Sequence, residues 1–437
     1  MQPITFLISI IASLIIFFTK PVWSIVVYCV ILAWYPIYLT VQVGSIDFTA
    51  CRIVILAIYL NLFLRRGLDN QLRLIWLDKL VMIYLVCQFV AGAANVAVGE
   101  LLENLSGAAF DIVLPYFAVR LIVNNKKQYL TLLKSILVIT APLALVGMYE
   151  SLTGHNPVGF LQQYCPWWSG ALLMPNPRSG LYRAFFCFPH PITFGLFFAT
   201  LGPVCAGLLH SIKANKLPYI VGIGLMALGI FSSMSSGPFM VALFAIAFIA
   251  VYRYREYSKA MLVSAILLCL LVEIISNRHF FEVVDRFTLN SATAWYRSKL
   301  IEVALFEGGM AGHWLTGFGF QDPGWGPMMD GNAHTDIVNH YILVLVRYGL
   351  VGLVPFLALI VGAARNLIEA YRVAVLDSDQ WLIWCLAGGL FGVLAGMNSV
   401  SLFGPPRMVF FIMLAFCAAM PTIVGQGNSN LVYIRQP

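Results

Sequence analysis

Thirteen apolar blocks, most of them close to 20 residues and separated by polar loops, set the limits on what this chain can fold into. A helix of about 20 residues covers a hydrocarbon layer of about 30 Å. Within such a layer the backbone must satisfy its own N–H and C=O groups, which only helices and closed barrels achieve. Barrel strands alternate every second residue over about 10 positions, whereas these runs are long and unalternating. Only 10% of the 437 residues are charged and 60% are hydrophobic, against about 25% charged in soluble chains. The expected fold is all-α and polytopic, with twelve or thirteen spans. They fall at about 4–18, 22–42, 48–64, 79–98, 104–124, 129–150, 190–210, 218–235, 238–252, 259–276, 338–364, 381–401 and 407–424. Met1–Phe18 lacks a basic leader and a small-residue cleavage site, so it reads as a first span rather than a signal peptide. Lys20 and Pro21 mark either a turn between spans or a re-entrant hairpin.

Charge orients the spans. Arg65, Arg66, Arg73 and Lys79 share one loop, and Lys126 with Lys127, Lys213 with Lys216, Arg253 with Arg255 and Lys259, and Arg365 with Arg372 mark the others. These five basic segments alternate with poorly basic ones such as 43–47 and 99–103, which places the basic segments in the cytoplasm. The net charge of +7 is thereby explained by topology, and no nucleic-acid partner is implied. The order reads as N-terminal helices over 1–150, an outer loop over 151–189, central helices over 190–276, a large ordered outer loop over 277–337, and C-terminal helices over 338–437. Both outer loops are rich in aromatics (Tyr164, Trp167, Trp168, Trp295, Trp314, Trp325), a mark either of order or of an interfacial belt. Most of the nine cysteines sit in apolar blocks; Cys165 and Cys187, in or beside one outer loop, are either a disulfide or two thiols.

Three polar constellations fall on the outer side. Arg178 and Arg183 precede the span beginning near His190, where Pro and Gly prevent a simple helix. Arginine on the outer face runs against the positive-inside bias, and guanidinium grips phosphate oxygens two at a time; an interfacial snorkel or a loop salt bridge is the plainer alternative. Arg297 lies in a stretch, Ala294–Glu307, that reads as an amphipathic helix with Trp295, Leu300, Val303 and Leu305 available for packing. In the first turn of that helix a cation opposes the dipole, which suggests an external partner. Third, Asp336 and His340 are four residues apart, with Arg347 seven further on. If helical, they share a face, giving a carboxylate that orients an imidazole base at the mouth of a span. The alternative is a polar cap, with Arg347 paired to a structural acid.

Absent motifs narrow the chemistry. The sequence has no GxxxxGK[ST], no GxGxxG after a strand, no HExxH and no CxxC, which removes the main support for nucleotide-driven, metalloprotease and redox readings. Paired intramembrane carboxylates are not apparent either, although Asp111, Arg120 and Glu273 near span ends keep a transporter in view.

The order of features resembles the O-antigen ligase and O-antigen polymerase family of bacterial inner-membrane polysaccharide glycosyltransferases. Gly147–Pro157 (GMYESLTGHNP) is similar to that family's glutamate-plus-glycine exit from a span, and Arg183 in YRAFFCFPHP stands where members place an arginine before a proline-marked helix. Ser232–Phe244 resembles a Ser-Arg-Gly pattern, with Ser236 where arginine is commonest. WYRSKLIEVALF followed by HWLTGFGFQDPGW looks like the arginine helix and glycine-rich turn that open the large outer loop. VNHYILVLVRYGLVG looks like the opening of the next span, with Asn339 in place, Val338 where the family's histidine usually stands, and His340 two positions late. The base therefore lies among His340, His334 and Asp336. The resemblance implies transfer from an undecaprenyl-diphosphate-linked oligosaccharide on the outer leaflet to a glycan or lipid A-core acceptor, without nucleotide, metal or other cofactor. It assigns diphosphate and sugar binding to Arg183, Arg297, Arg178, Arg347 and Asn339. The aspartate-bearing TDIVNHY version looks closer to polymerases than to ligases.

Overall fold

The computed structural model describes residues 2–44, 46–66, 73–164, 177–212, 215–275, 291–329, 331 and 334–434. The N-terminal part holds α1 (Gln2–Phe18), α2 (Pro21–Trp34), α3 (Ala50–Arg66), α4 (Trp76–Ala93), α5 (Val98–Ala108), α6 (Leu114–Ile122) and α7 (Lys126–Thr153). Next come α8 (Pro191–Cys205), the single turn α9 (Leu208–Ser211), α10 (Leu217–Ser232), α11 (Ser236–Ala250) and α12 (Ser258–Ile275). The last four helices are α13 (Ser291–Leu305), α14 (His340–Val373), α15 (Asp377–Gly396) and α16 (Pro405–Ile434). Two short hairpins, Thr40–Val43 with Ile46–Thr49 and Pro177–Arg178 with Leu181–Tyr182, are the sheet content of the described residues. Eight helical segments among the described residues are long and apolar enough to cross a membrane, and α1, α2 and α10 are apolar but shorter. The chain is an all-α, multi-pass membrane protein.

That count is lower than the twelve or thirteen full spans expected, and α2 shows why. It stops at Trp34 because Tyr35 precedes Pro36 and is forced into the extended region. The β-branched run that follows pairs as a hairpin, so the expected span 22–42 is a 14-residue helix and a strand. The expected loop around Arg365 and Arg372 is instead the C-terminal end of α14. Between α5 and α6 a π-turn, Ala109–Val113, carries Asp111 into the interior just ahead of Pro115, which has no N–H to give the ladder.

α16 is the bundle's axis: every residue from Met408 to Met420 is buried, as expected of a helix apolar on all sides. It packs on α6, α8 and α14, while α11 lies along α15. There Gly388, Gly392 and Gly396 recur every four residues, and a Cβ on Gly392 would stand 2.5 Å from the Val241 carbonyl oxygen. Small residues at that spacing let two membrane helices approach closely.

The two ends of the bundle differ chemically. At one end Arg120 pairs with Asp78, Lys126 with Asp379, and Arg255 with Asp377, while Trp381 donates to the Ala206 carbonyl. The first turns of α8, α11, α14 and α16 lie at the other end, together with the chain before α8 and the end of α15.

Candidate functional site

Along α14 the residue that shapes this second end is Gly349. Its φ of 59° and ψ of −158° break the helix, in a region that only glycine enters at low cost. The freed N–H groups are not left bare. Leu350 N donates to Trp314 O (2.8 Å) and Val351 N to Leu315 O (3.1 Å), while Phe318 N donates to Val346 O (2.6 Å). The Trp314–Phe318 loop thus docks its main chain into the broken helix, and Arg347, two residues before the break, faces a cavity.

That cavity measures about 950 Å³. Arg178, Arg183, Arg297, Arg347 and Arg407 line it with His190, His334, Asp322 and Asp336. Its apolar wall includes Ile192, Leu343, Val346 and Phe403. Six of the eight residues expected at the site share this space. Asn339 and His340 do not line it.

The loop that carries Arg183 is held by main-chain contacts. Glu150, at the end of α7, accepts from Phe185 N (3.2 Å) and Phe186 N (2.8 Å), and Ser151 Oγ donates to Tyr182 O (2.8 Å). Asn156 Nδ2 donates to Phe186 O (2.9 Å). These contacts fix the chain on both sides of Arg183, including Phe186 at φ 47°. The Gly147–Pro157 motif therefore buttresses the arginine loop. Arg183 Nη2 donates to Ser235 Oγ (2.9 Å), Arg178 Nη1 to Met234 O (3.4 Å) and Arg297 Nη2 to Ser236 Oγ (3.3 Å). Three guanidinium groups thus meet one turn, whose Met234 sits at φ 44°. Burial, then the neighbouring charge of Arg178, lowers Arg183 to about 10, still cationic at neutral pH.

Several expectations change. Arg297 is not in a first turn, because α13 begins at Ser291; it is buried, and Glu302 and Glu307 are engaged by Lys299. Leu300 and Val303 do pack inward, but Trp295 is 51% exposed and Leu305 faces outward too. Asp336 and His340 share no helical face, since Asn339 caps α14 and the helix begins at His340. The Asn339 side chain accepts from Tyr341 N and Ile342 N and donates to Asn398 O, so it is committed to the fold. His340 is buried, and its Nδ1 accepts from Leu402 N (3.2 Å). Arg347 lies over the Phe320 ring, 5.0 Å from its centroid; among the described residues no carboxylate stands within ion-pair distance of it. Cys187 is a buried thiol donating to Ala33 O; Cys165, like Trp167, Trp168, Lys213 and residues 277–290, lies outside the described residues.

No family model matches the sequence. No curated protein matches it either.

Among the titratable groups of the cavity, Asp336 offers a carboxylate whose pKa is raised by the protein atoms that displace water around it, although its side chain remains open to the cavity. Its own N–H is held by Tyr296 Oη (3.0 Å). His334 is 90% exposed at the rim, its Nδ1 3.6 Å from Asp322 Oδ2. Asp322 is itself fixed by Gly324 N (2.7 Å) and Thr335 N (2.8 Å). His190 caps α8 with Nδ1, which accepts from Ile192 N (3.1 Å). Burial, then the charges of Arg183 and Arg178, lowers it to about 4, so at neutral pH it is a neutral ring carrying its proton on Nε2. Sequence reading missed His190, Asp322 and Arg407. Arg407 was discoverable, because it also sits at the weakly basic end of an expected span.

Proposed function

We propose that the chain is a glycosyltransferase that polymerises undecaprenyl-diphosphate-linked oligosaccharide repeat units at the periplasmic face of a bacterial inner membrane. The observation that carries this reading is one cavity with five arginines, two aspartates and an apolar wall, at one end of the bundle. Its volume suits a ligand of several sugar rings or a diphosphate with part of one glycan. Arg178, Arg183 and Arg297 would hold the donor diphosphate by paired N–H contacts. The acceptor hydroxyl oxygen would attack the anomeric carbon as the bond from that carbon to the phosphate oxygen breaks. The bonding pair leaves with the lipid diphosphate, whose growing charge the fixed guanidinium groups stabilise. The hydroxyl proton passes to Asp336, favoured over His340 because His340 is buried with Nδ1 engaged. His334 at the rim is the alternative base.

An O-antigen ligase that transfers polymer to lipid A-core is the second reading, on the same cavity. A transporter of lipid-linked oligosaccharide or anions is a third and weaker one. Asp111 is gripped by Arg52 at 2.8 and 3.0 Å, and Arg120 by Asp78 at 2.9 and 3.0 Å, so both are engaged in separate ion pairs. Glu273 is exposed on α12.

Deleting the gene in the source bacterium and extracting its lipid-linked oligosaccharides separates the three. Accumulated single repeats are expected for a polymerase; long polymer stranded on lipid diphosphate points to a ligase, and repeats trapped on the cytoplasmic leaflet to a transporter. An unchanged glycan profile would overturn all three.

A further inference from the structure

The cavity holds more cation than one diphosphate requires, and its arginines stand in two groups. Arg178, Arg183 and Arg297 converge on the 234–236 turn. Arg347, on α14, and Arg407, in the first turn of α16, form the second group.

The second group is built for an oxyanion. Arg407 Nη2 approaches Asp111 Oδ2 at 3.4 Å, but that carboxylate is already held bidentately by Arg52. Arg52 is anchored in turn, its Nη1 donating to Asp47 O (2.7 Å). Two guanidinium groups, those of Arg52 and Arg407, thus share one carboxylate, and Arg347 stands beyond ion-pair distance of it. Arg347 lies over the Phe320 ring, 5.0 Å from its centroid, a contact that leaves its fork to meet a planar or tetrahedral oxyanion. Partly buried cations are costly unless matched, and Asp111, already shared by two, does not match Arg347.

We infer that Arg347 and Arg407 form a second anion subsite, distinct from the Arg178–Arg183–Arg297 group, which holds a carboxylate or phosphate borne by the acceptor substrate. This rests on the glycosyl-transfer reading above. Two sources carry that chemistry: an acidic sugar in the repeat unit, or a second lipid diphosphate on the acceptor.

Titration of the purified full chain with inorganic pyrophosphate, followed by calorimetry, counts the sites. Two sites are expected in the wild type, one after Arg347→Gln, a different one after Arg183→Gln, and none in the double variant. If Arg347→Gln does not fold, Arg347→Lys keeps the charge and loses the fork, and is expected to weaken one site at least fivefold with the melting curve unchanged. Methyl glucuronoside displacing pyrophosphate from the Arg347 subsite alone identifies an acidic sugar; farnesyl diphosphate filling both sites while the glucuronoside fails identifies a second lipid diphosphate. A single wild-type site, unaffected by Arg347→Gln or Arg347→Lys, overturns the second subsite. If Arg183→Gln removes that single site, the donor reading stands without it; no pyrophosphate binding at all would sink both.

Discussion

Gly349→Ala should be among the most damaging single-methyl additions to this protein. The added Cβ would stand 2.2 Å from Leu315 O and 2.5 Å from Thr316 N, backbone atoms that cannot swing aside as a side-chain end would. Holding a non-glycine residue at φ 59° and ψ −158° costs roughly 1–3 kcal/mol. Relieving the clash means pulling the Trp314–Phe318 loop away and weakening the contacts of Leu350 N and Val351 N, each worth about 1 kcal/mol. The expected loss is therefore about 3–5 kcal/mol, with Arg347 displaced as the break closes. Thermal unfolding of the purified protein in detergent, read beside Gly99→Ala, checks this. Gly99 has nothing within 4 Å of an added Cβ and lies in α5, so its substitution should be neutral or stabilising by about 0.5–1 kcal/mol. Equal melting of Gly349→Ala and wild type would refute the account of the broken helix.

Polymer length measured in parallel for Asp336→Asn, His334→Ala and His340→Ala should show the aspartate variant nearly inactive and the rim histidine variant active. His340→Ala should fail by misfolding, visible as low protein level; loss in His334→Ala alone would move the base to His334. A base must be deprotonated to act, so turnover should fall as pH drops through an Asp336 pKa raised above the ordinary value of about 3.9. That acid limb should vanish in the residual activity of Asp336→Asn. Glu150→Ala removes the acceptor of two buried amides and should cost about 2–5 kcal/mol, lowering activity through a loosened Arg183 loop. Retention of wild-type melting and turnover by Glu150→Ala would contradict that buttress.

The membrane architecture was legible because apolar length and loop charge are properties of contiguous sequence. The second end of the bundle was legible in part. Arginines standing against the charge bias beside a span pointed to Arg178 and Arg183; Arg297, singled out by a first-turn placement that the structure does not have, shares their cavity all the same. The same argument applies to Arg407, the first residue of the expected span 407–424, and to Arg52, near the start of the expected span 48–64. The Asp336–His340 pairing failed on a local signal present in the sequence: Asn339 is a strong N-cap residue, and a helix starting after it leaves Asp336 outside. The break at Gly349 had no such signal. Its conformation is set by the Trp314–Phe318 loop, some 30 residues away, whose carbonyls replace the lost helical partners.

The claim on which the functional account turns is that Arg183 grips a lipid diphosphate through its fork. It is tested most directly by the affinity of the purified chain for a polyprenyl diphosphate, compared with that of the Arg183→Lys and Lys216→Arg variants. Losing one bidentate charge-assisted contact should weaken binding by about 1.5–3 kcal/mol, more than tenfold. The Lys216→Arg control, in the loop before α10 at the opposite end of the bundle, should leave it unchanged. Equal affinity for wild type and Arg183→Lys, with both proteins folded, would contradict the account.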